Sequence, residues 1–481
     1  MQKSNKRIAA LAGGYICSTL FAATNPMSLS PEANKVLAVG ILMILWWVSE
    51  ALPMAVVALL PMILFPLLGI AKMSDVAASY SNPVIYLFLG GFIIGLAIEK
   101  WCLHKRIALN IVRLTGTAGN RIVLGFILAT GFLSMWLSNT ATTMMMYPIA
   151  MSVISVMEDN GKQDKSRNNL SVCLLLSIAY ASNFGGIATI IGTPPNVAYA
   201  AFLEKESGYT FAFIDWMKLC LPISLLLLVT LYFVMVKLLY PVGNVTDGAA
   251  KEMIHADLRK MGLLSTAEKR VLTVFILTAA LWIGKDILNN IQNSIRLDDT
   301  MIAILGAVLL FVVPSGNTDK PILEWEDTHK VAWGILLLFG GGIALADQLG
   351  KAGLIEALGK WIAGFATGGF LLLFIITLLS IFISEVMSNV AQVIVFAPVV
   401  AGIASAMHAN PLQLGMAMTL GASCAGMLPM GTPPNAIVFG SGKLRLKHMT
   451  TTGFIMNITS AVLISLFCWY LLPLFVKALG V

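Results

Sequence analysis

The sequence predicts an all-α polytopic membrane protein with about eleven transmembrane helices and two re-entrant hairpins in inverted repeats. Three observations predict this fold class: a scarcity of charge, a series of apolar runs, and polar motifs that occur twice. Of the 481 residues, 58% are hydrophobic and only 11% are charged, whereas about 25% of an average soluble domain is charged. So few charges cannot cover a water-facing surface, which excludes a soluble globular protein, a disordered chain and a nucleic-acid-binding protein.

The apolar runs account for most of the chain. They cover residues 8–24, 36–49, 52–72, 84–99, 122–157, 170–204, 211–240, 269–290, 300–314, 330–348, 369–407, 411–440 and 452–477. A transmembrane helix needs about 20 apolar residues, so 122–157 and 369–407 are too long for one helix and too short for two crossings. Each has a polar break in its middle, which predicts a re-entrant hairpin that enters and leaves on one side. The runs 170–204 and 411–440 are interrupted by Gly-Thr-Pro-Pro-Asn and are predicted to be broken helices.

Basic residues predict the orientation of the chain in the membrane. They concentrate in the connections 100–121, 158–169, 241–270 and 443–447, and the predicted crossings place all four connections on one side. Because basic connections face the cytoplasm, we expect a multi-pass protein of the inner (plasma) membrane with a cytoplasmic N-terminus and an outside C-terminus. The basic N-terminus resembles a signal peptide, but we interpret it as the start of a retained first helix.

The sequence gives little support for a metal site, a redox-active cysteine pair or a nucleotide-binding site. The six cysteines lie mostly in apolar runs without metal-ligand or redox spacing, and the five histidines lie at or near polar connections. We interpret the cysteines as reduced residues that pack as small hydrophobic groups. No Gly-rich loop for nucleotide phosphates is present, so we predict neither an enzyme nor an ATP-driven pump.

Polar motifs occur twice along the chain at nearly constant offsets. Those that return 250 residues later are Gly90-Gly91 as Gly340-Gly341, Ser134 as Ser384, Ser138-Asn139-Thr140-Ala141 as Ser388-Asn389-Val390-Ala391, and Pro148 as Pro398. Gly192-Thr193-Pro194-Pro195-Asn196 returns 239 residues later as Gly431-Thr432-Pro433-Pro434-Asn435. The shorter offset fits the polar linker 158–169 of the first half. An even number of predicted crossings separates the two Gly-Gly helices, so the repeats are inverted, as is typical of secondary transporters with a site near the membrane midplane.

The repeated motifs supply groups that bind both anions and cations. Irregular backbone at membrane depth is tolerated only where protein or a water-filled cavity satisfies its polar groups. Helix N-termini attract anions, whereas unwound carbonyls and the oxygens of Ser, Thr and Asn attract cations. No Arg or Lys lies at the centre of the motif-bearing runs, so a bound anion would depend on helix ends and co-bound cations, which couples the two ligands. Hydrogen bonding between helices is the structural alternative for these side chains.

One acidic residue lies inside a motif-bearing run. Glu385 follows Ser384 in the second predicted hairpin, and its counterpart in the first is Met135. An intramembrane carboxylate can carry a proton or hold a local hydrogen-bonded structure, and the sequence leaves both roles open.

The paired Ser-Asn-Thr and Thr-Pro-Pro motifs resemble those of the divalent anion/sodium symporter family, whose members carry di- and tricarboxylates and in some cases sulfate. Ser49-Glu50-Ala51-Leu52-Pro53, Asn82-Pro83 and Leu89-Gly90-Gly91-Phe92 are also similar to that family. The resemblance covers nearly the whole chain, 1–481, as a single transporter domain. It implies an elevator-type homodimer with a scaffold and a mobile transport domain in each chain. Scaffold helices are then expected in 1–107 and, after a cytoplasmic linker, in 241–348, and the two transport halves in 108–240 and 349–481.

The resemblance also implies which residues bind two sodium ions and the substrate. The first sodium ion is expected at Ser134, Ser138, Asn139 and Gly192, and the second at Ser384, Met387, Asn389 and Gly431, with backbone carbonyls from Met387 and Gly431. The substrate carboxylates are expected at Ser138, Asn139, Thr140, Thr193, Ser388, Asn389, Val390, Thr432 and Pro433. Val390 departs from the family pattern, which often has Thr there, and this change removes one hydroxyl from the expected substrate site.

These patterns favour a sodium-coupled importer of C4 dicarboxylates such as succinate, malate and fumarate, because paired motifs suit an anion with two charged ends. Sodium is expected as a coupling ion rather than a prosthetic group, and the lipid bilayer and a second copy of the chain are the other expected partners. The first alternative is a sodium-independent exchanger of dicarboxylates, 2-oxoglutarate, tartrate or citrate on the same fold. The second is a channel or pump component for small oxyanions, although no charge ring or carbonyl filter is visible.

Overall fold

The computed structural model describes residues 2–116, 119–159, 165–242, 248–291, 295–316, 320–363 and 368–479. Over these ranges the chain is helical, and the only strand-like pairing is a single antiparallel bridge between Pro314 and Pro321. The predicted all-α class is confirmed.

The described helices that precede the first predicted hairpin form the N-terminal part of the fold. They are α1 (Gln2–Thr24), α2 (Pro31–Val48), α3 (Met54–Val57), α4 (Leu60–Leu67), α5 (Met73–Tyr80), α6 (Pro83–Lys100) and α7 (Leu103–Thr115).

The first half of the repeat follows. Its helices are α8 (Gly119–Ser134), α9 (Asn139–Asp159), α10 (Lys165–Gly186), α11 (Pro194–Ser207) and α12 (Phe213–Phe233), which continues as a π-helical segment over Val234–Leu239. The predicted hairpin 122–157 is thus a helix pair joined by residues 135–138, and the predicted broken helix 170–204 is two helices separated by residues 187–193.

The middle of the chain connects the two halves. It contains α13 (Gly248–Lys260), α14 (Thr266–Ile291), α15 (Asp299–Val312), a 3-10 turn (Trp325–Lys330), α16 (Trp333–Lys351) and α17 (Leu354–Ala363).

The second half repeats the helix pair and the broken helix. Its helices are α18 (Phe370–Ser384), α19 (Asn389–Ala406), α20 (Pro411–Ala422), α21 (Pro433–Phe439), α22 (Leu446–Leu466), a π-helical segment (Phe467–Leu471) and α23 (Leu472–Leu479). Residues 385–388 join the pair that was predicted over 369–407, and residues 423–432 separate the two parts of the broken helix predicted over 411–440.

Helix length and composition support fewer spans than the eleven crossings predicted. The described residues contain 8 segments that are long and apolar enough to cross a membrane: Arg7–Thr24, Pro31–Val48, Met73–Lys100, Phe213–Leu239, Thr266–Ile291, Trp333–Lys351, Asn389–Ala406 and Leu446–Phe475. The two predicted broken helices, 170–204 and 411–440, are absent from this set, and so are two further predicted crossings, whose helices Met54–Leu67 and Asp299–Val312 are shorter. The segment Asn389–Ala406 is instead an arm of the second predicted hairpin.

Two of the helices begin at an Asn-Pro step. Asn82 Oδ1 accepts a hydrogen bond from the N–H of Val84 at 2.9 Å, and Asn410 Oδ1 accepts one from the N–H of Leu412 at 2.9 Å. Each cap satisfies a backbone donor that a helix leaves free at its start, and the proline that follows lacks such a donor. The local sequence therefore determines where α6 and α20 begin.

The two halves of the repeat pack across one another. Within each half the first arm of the helix pair lies on the helix that precedes the break, so that α8 contacts α10 and α18 contacts α20. Between the halves, α11 packs on α19 and α21 packs on α9. This reciprocal packing brings both Ser-Asn motifs and both Thr-Pro-Pro breaks into one region of the protein.

The repeated Gly-Gly pairs lie at close helix contacts. A Cβ atom built on Gly90 would lie 2.7 Å from the carbonyl of Ala303 in α15, and one built on Gly340 would lie 2.2 Å from the ring of Tyr80. No side chain fits at either position, so these glycines allow neighbouring helices to approach closely. Their repetition therefore reflects packing.

Candidate functional site

The same pair of polar side chains closes the turn in both helix pairs. The Ser134 hydroxyl oxygen lies 2.8 Å from Asn139 Oδ1 and 2.7 Å from the carbonyl oxygen of Ser182. The Ser384 hydroxyl oxygen lies 2.6 Å from Asn389 Oδ1 and from the carbonyl oxygen of Ala422. A hydroxyl has one proton to donate, so at each site two acceptor oxygens face a single donor. Such an excess of oxygen acceptors suits a hard cation.

In the first half, oxygens from three chain segments converge where glycines lack side chains. A Cβ atom built on Gly186 would lie 2.3 Å from Asn139 Oδ1 and 3.2 Å from the carbonyl oxygen of Gly192. One built on Gly192 would lie 2.5 Å from the carbonyl oxygen of Gly186 and 3.0 Å from that of Ser134. We call these four oxygens, from Ser134, Asn139, Gly186 and Gly192, the first oxygen cluster. It unites three of the four predicted ligands of the first sodium ion and adds Gly186, which the sequence reasoning missed.

Ser138 is the remaining residue of that predicted sodium site. It lies directly before α9, and its hydroxyl accepts a hydrogen bond from the N–H of Ala141 at 3.2 Å. In this conformation Ser138 caps the helix that begins at Asn139.

The second half repeats the Ser-Asn contact but differs beside its glycine. A Cβ atom built on Gly431 would lie 2.9 Å from Glu385 Oε2 and 3.3 Å from the carbonyl oxygen of Leu428. Met387 lies in the turn between α18 and α19. The predicted ligands Ser384, Met387 and Asn389 therefore lie in one short stretch of chain, and Gly431 contacts that stretch through Glu385.

The last residue of each Gly-Thr-Pro-Pro-Asn motif supports the unwound backbone. Asn196 Nδ2 donates to the carbonyl oxygens of Gly186 at 3.1 Å and Thr189 at 2.8 Å. Asn435 Nδ2 donates to the carbonyl oxygens of Ala425 at 3.2 Å and Leu428 at 3.1 Å. Donors and acceptors are both related by the offset of 239 residues seen in the sequence. Buried carbonyls that a broken helix leaves unpaired are thereby satisfied.

Helices begin at each of the predicted substrate motifs. Asn139, Pro194, Asn389 and Pro433 are the first residues of α9, α11, α19 and α21. Thr193 and Thr432 precede the two prolines as extended, buried residues. The side chains of Ser138, Asn139, Thr140, Ser388, Asn389 and Val390 are half-buried, and Pro433 is exposed. The starts of α9 and α19 offer free backbone N–H groups, whereas α11 and α21 begin with two prolines and offer only the positive end of the helix dipole. Together these groups can stabilise a dianion without Arg or Lys.

Asn183 links the two halves and was not predicted from the sequence. Asn139 Nδ2 lies 3.4 Å from Asn183 Oδ1 and 3.4 Å from the Thr193 hydroxyl oxygen. Asn183 Nδ2 lies 3.4 Å from the hydroxyl oxygen of Thr432. The sequence does contain a signal for this residue, the polar pair Ser182-Asn183 near the end of an apolar run. The pair is not repeated in the second half, where Ala422 stands at the position equivalent to Asn183.

The comparison with protein families decides the classification. The family described as the sodium:sulfate symporter transmembrane region matches residues 2–476. The chain belongs to this family. The resemblance that the sequence motifs predicted is therefore confirmed, and membership of a symporter family agrees with the prediction of a transporter rather than an enzyme.

Two named relatives match almost the entire chain. The chain is 37% identical over 489 residues to the sodium-dependent dicarboxylate transporter SdcS of Staphylococcus saprophyticus, covering 98% of this chain and 93% of the relative. It is 38% identical over 461 residues to SdcS of Staphylococcus aureus strain USA300, covering 94% of this chain and 88% of the relative.

Solved structures share the fold at much lower identity. The Alcanivorax borkumensis YdaH transporter superposes with a TM-score of 0.56 at 14% identity, over 83% of this chain and 87% of the other. Neisseria gonorrhoeae MtrF superposes with a TM-score of 0.54 at 13% identity, over 83% of each chain. At these identities the likeness concerns the fold alone.

Proposed function

We propose that this protein is a sodium-coupled symporter of C4 dicarboxylates such as succinate, malate and fumarate in the inner (plasma) membrane. The observation that carries the proposal is made in both halves of the repeat: the serine hydroxyl of the Ser-Asn turn faces two acceptor oxygens, which suits a cation, beside a helix start that suits an anion. The family match and the names of the two staphylococcal relatives support sodium as the coupling ion and a dicarboxylate as the substrate.

The arrangement explains why the two ligands depend on each other. The site segments 135–144, 186–196, 385–392 and 423–436 contain no Lys or Arg. A dicarboxylate that enters there is stabilised by helix starts and by sodium ions at the two Ser-Asn turns, and each ligand therefore binds better when the other is present. Residues that serve both ligands, Asn139 and Asn389 above all, transmit this dependence.

The proposal includes eleven crossings, two re-entrant hairpins and an elevator movement in a homodimer, with the N-terminus inside and the C-terminus outside. The transport halves 108–240 and 349–481 would move against the scaffold helices of 1–107 and 241–348. Apolar side chains support such sliding: Ala198 and Phe202 of α11, Ile394 of α19, and Phe339 and Ile343 of α16 line one small cavity between these parts. Apolar contacts can be exchanged without leaving a buried hydrogen-bonding group unpaired.

Uptake by purified protein in liposomes tests this proposal. Labelled succinate should accumulate when sodium is imposed outside, and removal of the sodium gradient should abolish the accumulation. Sodium-independent uptake that requires an internal dicarboxylate would instead identify the exchanger alternative. Passive, non-saturable flux of small oxyanions would identify a channel.

A further inference from the structure

One charged residue lies in the segments that form the candidate site. Glu385 is the only Asp, Glu, Lys or Arg within residues 135–144, 186–196, 385–392 and 423–436. Its side chain is buried, with 3% of the residue exposed. A buried carboxylate is costly unless its oxygens are hydrogen-bonded, so its partners indicate what it does.

The hydrogen bonds of the Glu385 carboxylate all come from N–H donors. Oε1 accepts from the backbone N–H groups of Gly426 and Met427, both at 2.8 Å, and from Asn457 Nδ2 of α22 at 2.7 Å. Oε2 accepts from the backbone N–H of Leu428 at 2.9 Å. The carboxylate therefore holds the unwound backbone at 426–428 and also connects it to α22. No hydrogen-bond acceptor is among these four partners, so this arrangement suits a fixed anion better than a proton carrier.

The first half of the repeat supports its unwound backbone without a charged side chain. Met135 stands at the position equivalent to Glu385, and its backbone carbonyl oxygen accepts a hydrogen bond from the Thr189 hydroxyl at 2.5 Å. The residue equivalent to Thr189 is Leu428, which has no hydroxyl and instead donates its N–H to Glu385. A side-chain hydroxyl therefore stabilises the unwound segment of the first broken helix, and a carboxylate stabilises that of the second.

The two candidate cation sites therefore differ in charge and in shape. In the first, Gly186 leaves room for Asn139 Oδ1, which would lie 2.3 Å from a Cβ atom there. The equivalent residue in the second half is Ala425, which already carries that Cβ atom, and Glu385 Oε2 approaches Gly431 instead. A unit negative charge close to a partly desolvated cation raises its affinity.

We propose that Glu385 is a positioning residue that makes the two sodium sites unequal, so that in the absence of substrate the second site binds sodium more tightly than the first. The inference rests on the proposed sodium coupling and deepens it. Glu385 acts by holding residues 426–428 in place and by its charge, since each of its carboxylate oxygens already accepts an N–H hydrogen bond. The first site, which lacks a fixed charge, depends more on the negative charge of the substrate.

Sodium binding to the purified full-length protein without substrate tests the inference. Thermal unfolding followed at increasing sodium concentration reports binding, because a ligand of the native state raises the melting temperature. Glu385→Gln is isosteric and keeps an oxygen for the three donors at Oε1. We expect it to raise the sodium concentration for half-maximal stabilisation about tenfold, equal to about 1.4 kcal/mol of binding free energy.

A further variant separates charge from structure. Asn457→Ala removes one hydrogen bond but keeps the carboxylate, so it should leave the sodium midpoint within about twofold of wild type. An unchanged midpoint in Glu385→Gln, or an equal loss in Asn457→Ala, overturns the inference.

If Glu385→Gln does not fold, the same sodium titration is made with Glu385→Asp, which keeps the negative charge. A sodium midpoint within about threefold of wild type then supports the inference, and a tenfold rise contradicts it. A wild-type protein that sodium does not stabilise, and whose succinate uptake ignores sodium, overturns the proposed function as well. If the wild-type protein depends on sodium and Glu385→Gln has the same sodium midpoint as wild type, only the proposed role of Glu385 is overturned.

Discussion

Asn183 Nδ2 lies 3.4 Å from the hydroxyl oxygen of Thr432, although 249 residues separate them in the sequence. Asn183 is in α10 of the first half, and Thr432 precedes α21 of the second. Because Asn139 also donates to Asn183, a continuous series of side-chain amides and hydroxyls runs from the first Ser-Asn motif to the second break. The two halves thus meet through polar groups in the region where the substrate is proposed to bind.

We expect Asn183→Ala to reduce succinate uptake about tenfold, because it removes the hydrogen bond from Asn183 to Thr432 in the other half and leaves buried partners unpaired. Uptake kinetics in proteoliposomes measure the effect. Asn34→Ala is the matched control, since Asn34 is also buried and donates to a backbone carbonyl, that of Ala22, away from the site. Equal losses of uptake in both variants would show that Asn183 acts only on stability.

Asn139→Ala and Asn389→Ala should each abolish sodium-coupled uptake, because each removes an amide shared by a proposed sodium site and the substrate site. Size-exclusion chromatography and thermal unfolding should show that both variants remain folded. Normal coupled uptake in both would mean that the site lies elsewhere in the protein.

Gly186→Ala should weaken sodium dependence, because its Cβ atom would lie 2.3 Å from Asn139 Oδ1 and displace it from the first oxygen cluster. The measurement is the sodium concentration for half-maximal uptake, which should rise about tenfold or more. Gly284→Ala is the matched control in α14, where a Cβ atom meets no neighbour within 4 Å, and alanine favours a helix. Unchanged sodium dependence in Gly186→Ala would contradict the assignment of the first oxygen cluster.

Val390→Thr should alter substrate preference more than sodium dependence. The substitution restores a hydroxyl of similar shape beside Asn389 at the start of α19 and adds a donor for one carboxylate. Competition of succinate uptake by other di- and tricarboxylates measures the substrate profile. If that profile does not change, Val390 does not line the substrate site.

A cross-link between the proposed moving parts should stop transport. Lys205 at the end of α11 forms an ion pair with Asp347 of α16 at 3.2 Å. We expect Lys205→Cys with Asp347→Cys, joined by a bifunctional thiol reagent, to lose uptake once the exposed Cys17 and Cys102 are replaced.

The control for this experiment lies on the same helix. Lys351 also pairs with Asp347, at 2.9 Å, and both belong to α16. A cross-link from Lys351→Cys to Asp347→Cys should therefore leave uptake intact. Full uptake through the Lys205–Asp347 cross-link would argue against an elevator movement of α11 past α16.

The sequence by itself determined the class of protein and the positions of the motifs. Scarce charge and long apolar runs identified a helical membrane protein, because these properties depend only on composition and on local periodicity. The shared offsets marked both Ser-Asn motifs and both breaks, and the structure has a helix boundary at each of them. The family resemblance is confirmed, whereas the ligand roles of individual residues stay predictions.

Only the tertiary structure decided how those motifs meet. The contact of Asn183 with Thr432, the closeness of Gly186 to Asn139 and the four donors around Glu385 join segments that are distant in the chain. No local pattern contains this information, because it depends on how α9 packs on α21 and α11 on α19. The sequence showed a carboxylate at position 385 with two possible roles, and packing surrounded it with N–H donors, which favours a fixed anion that supports the second break.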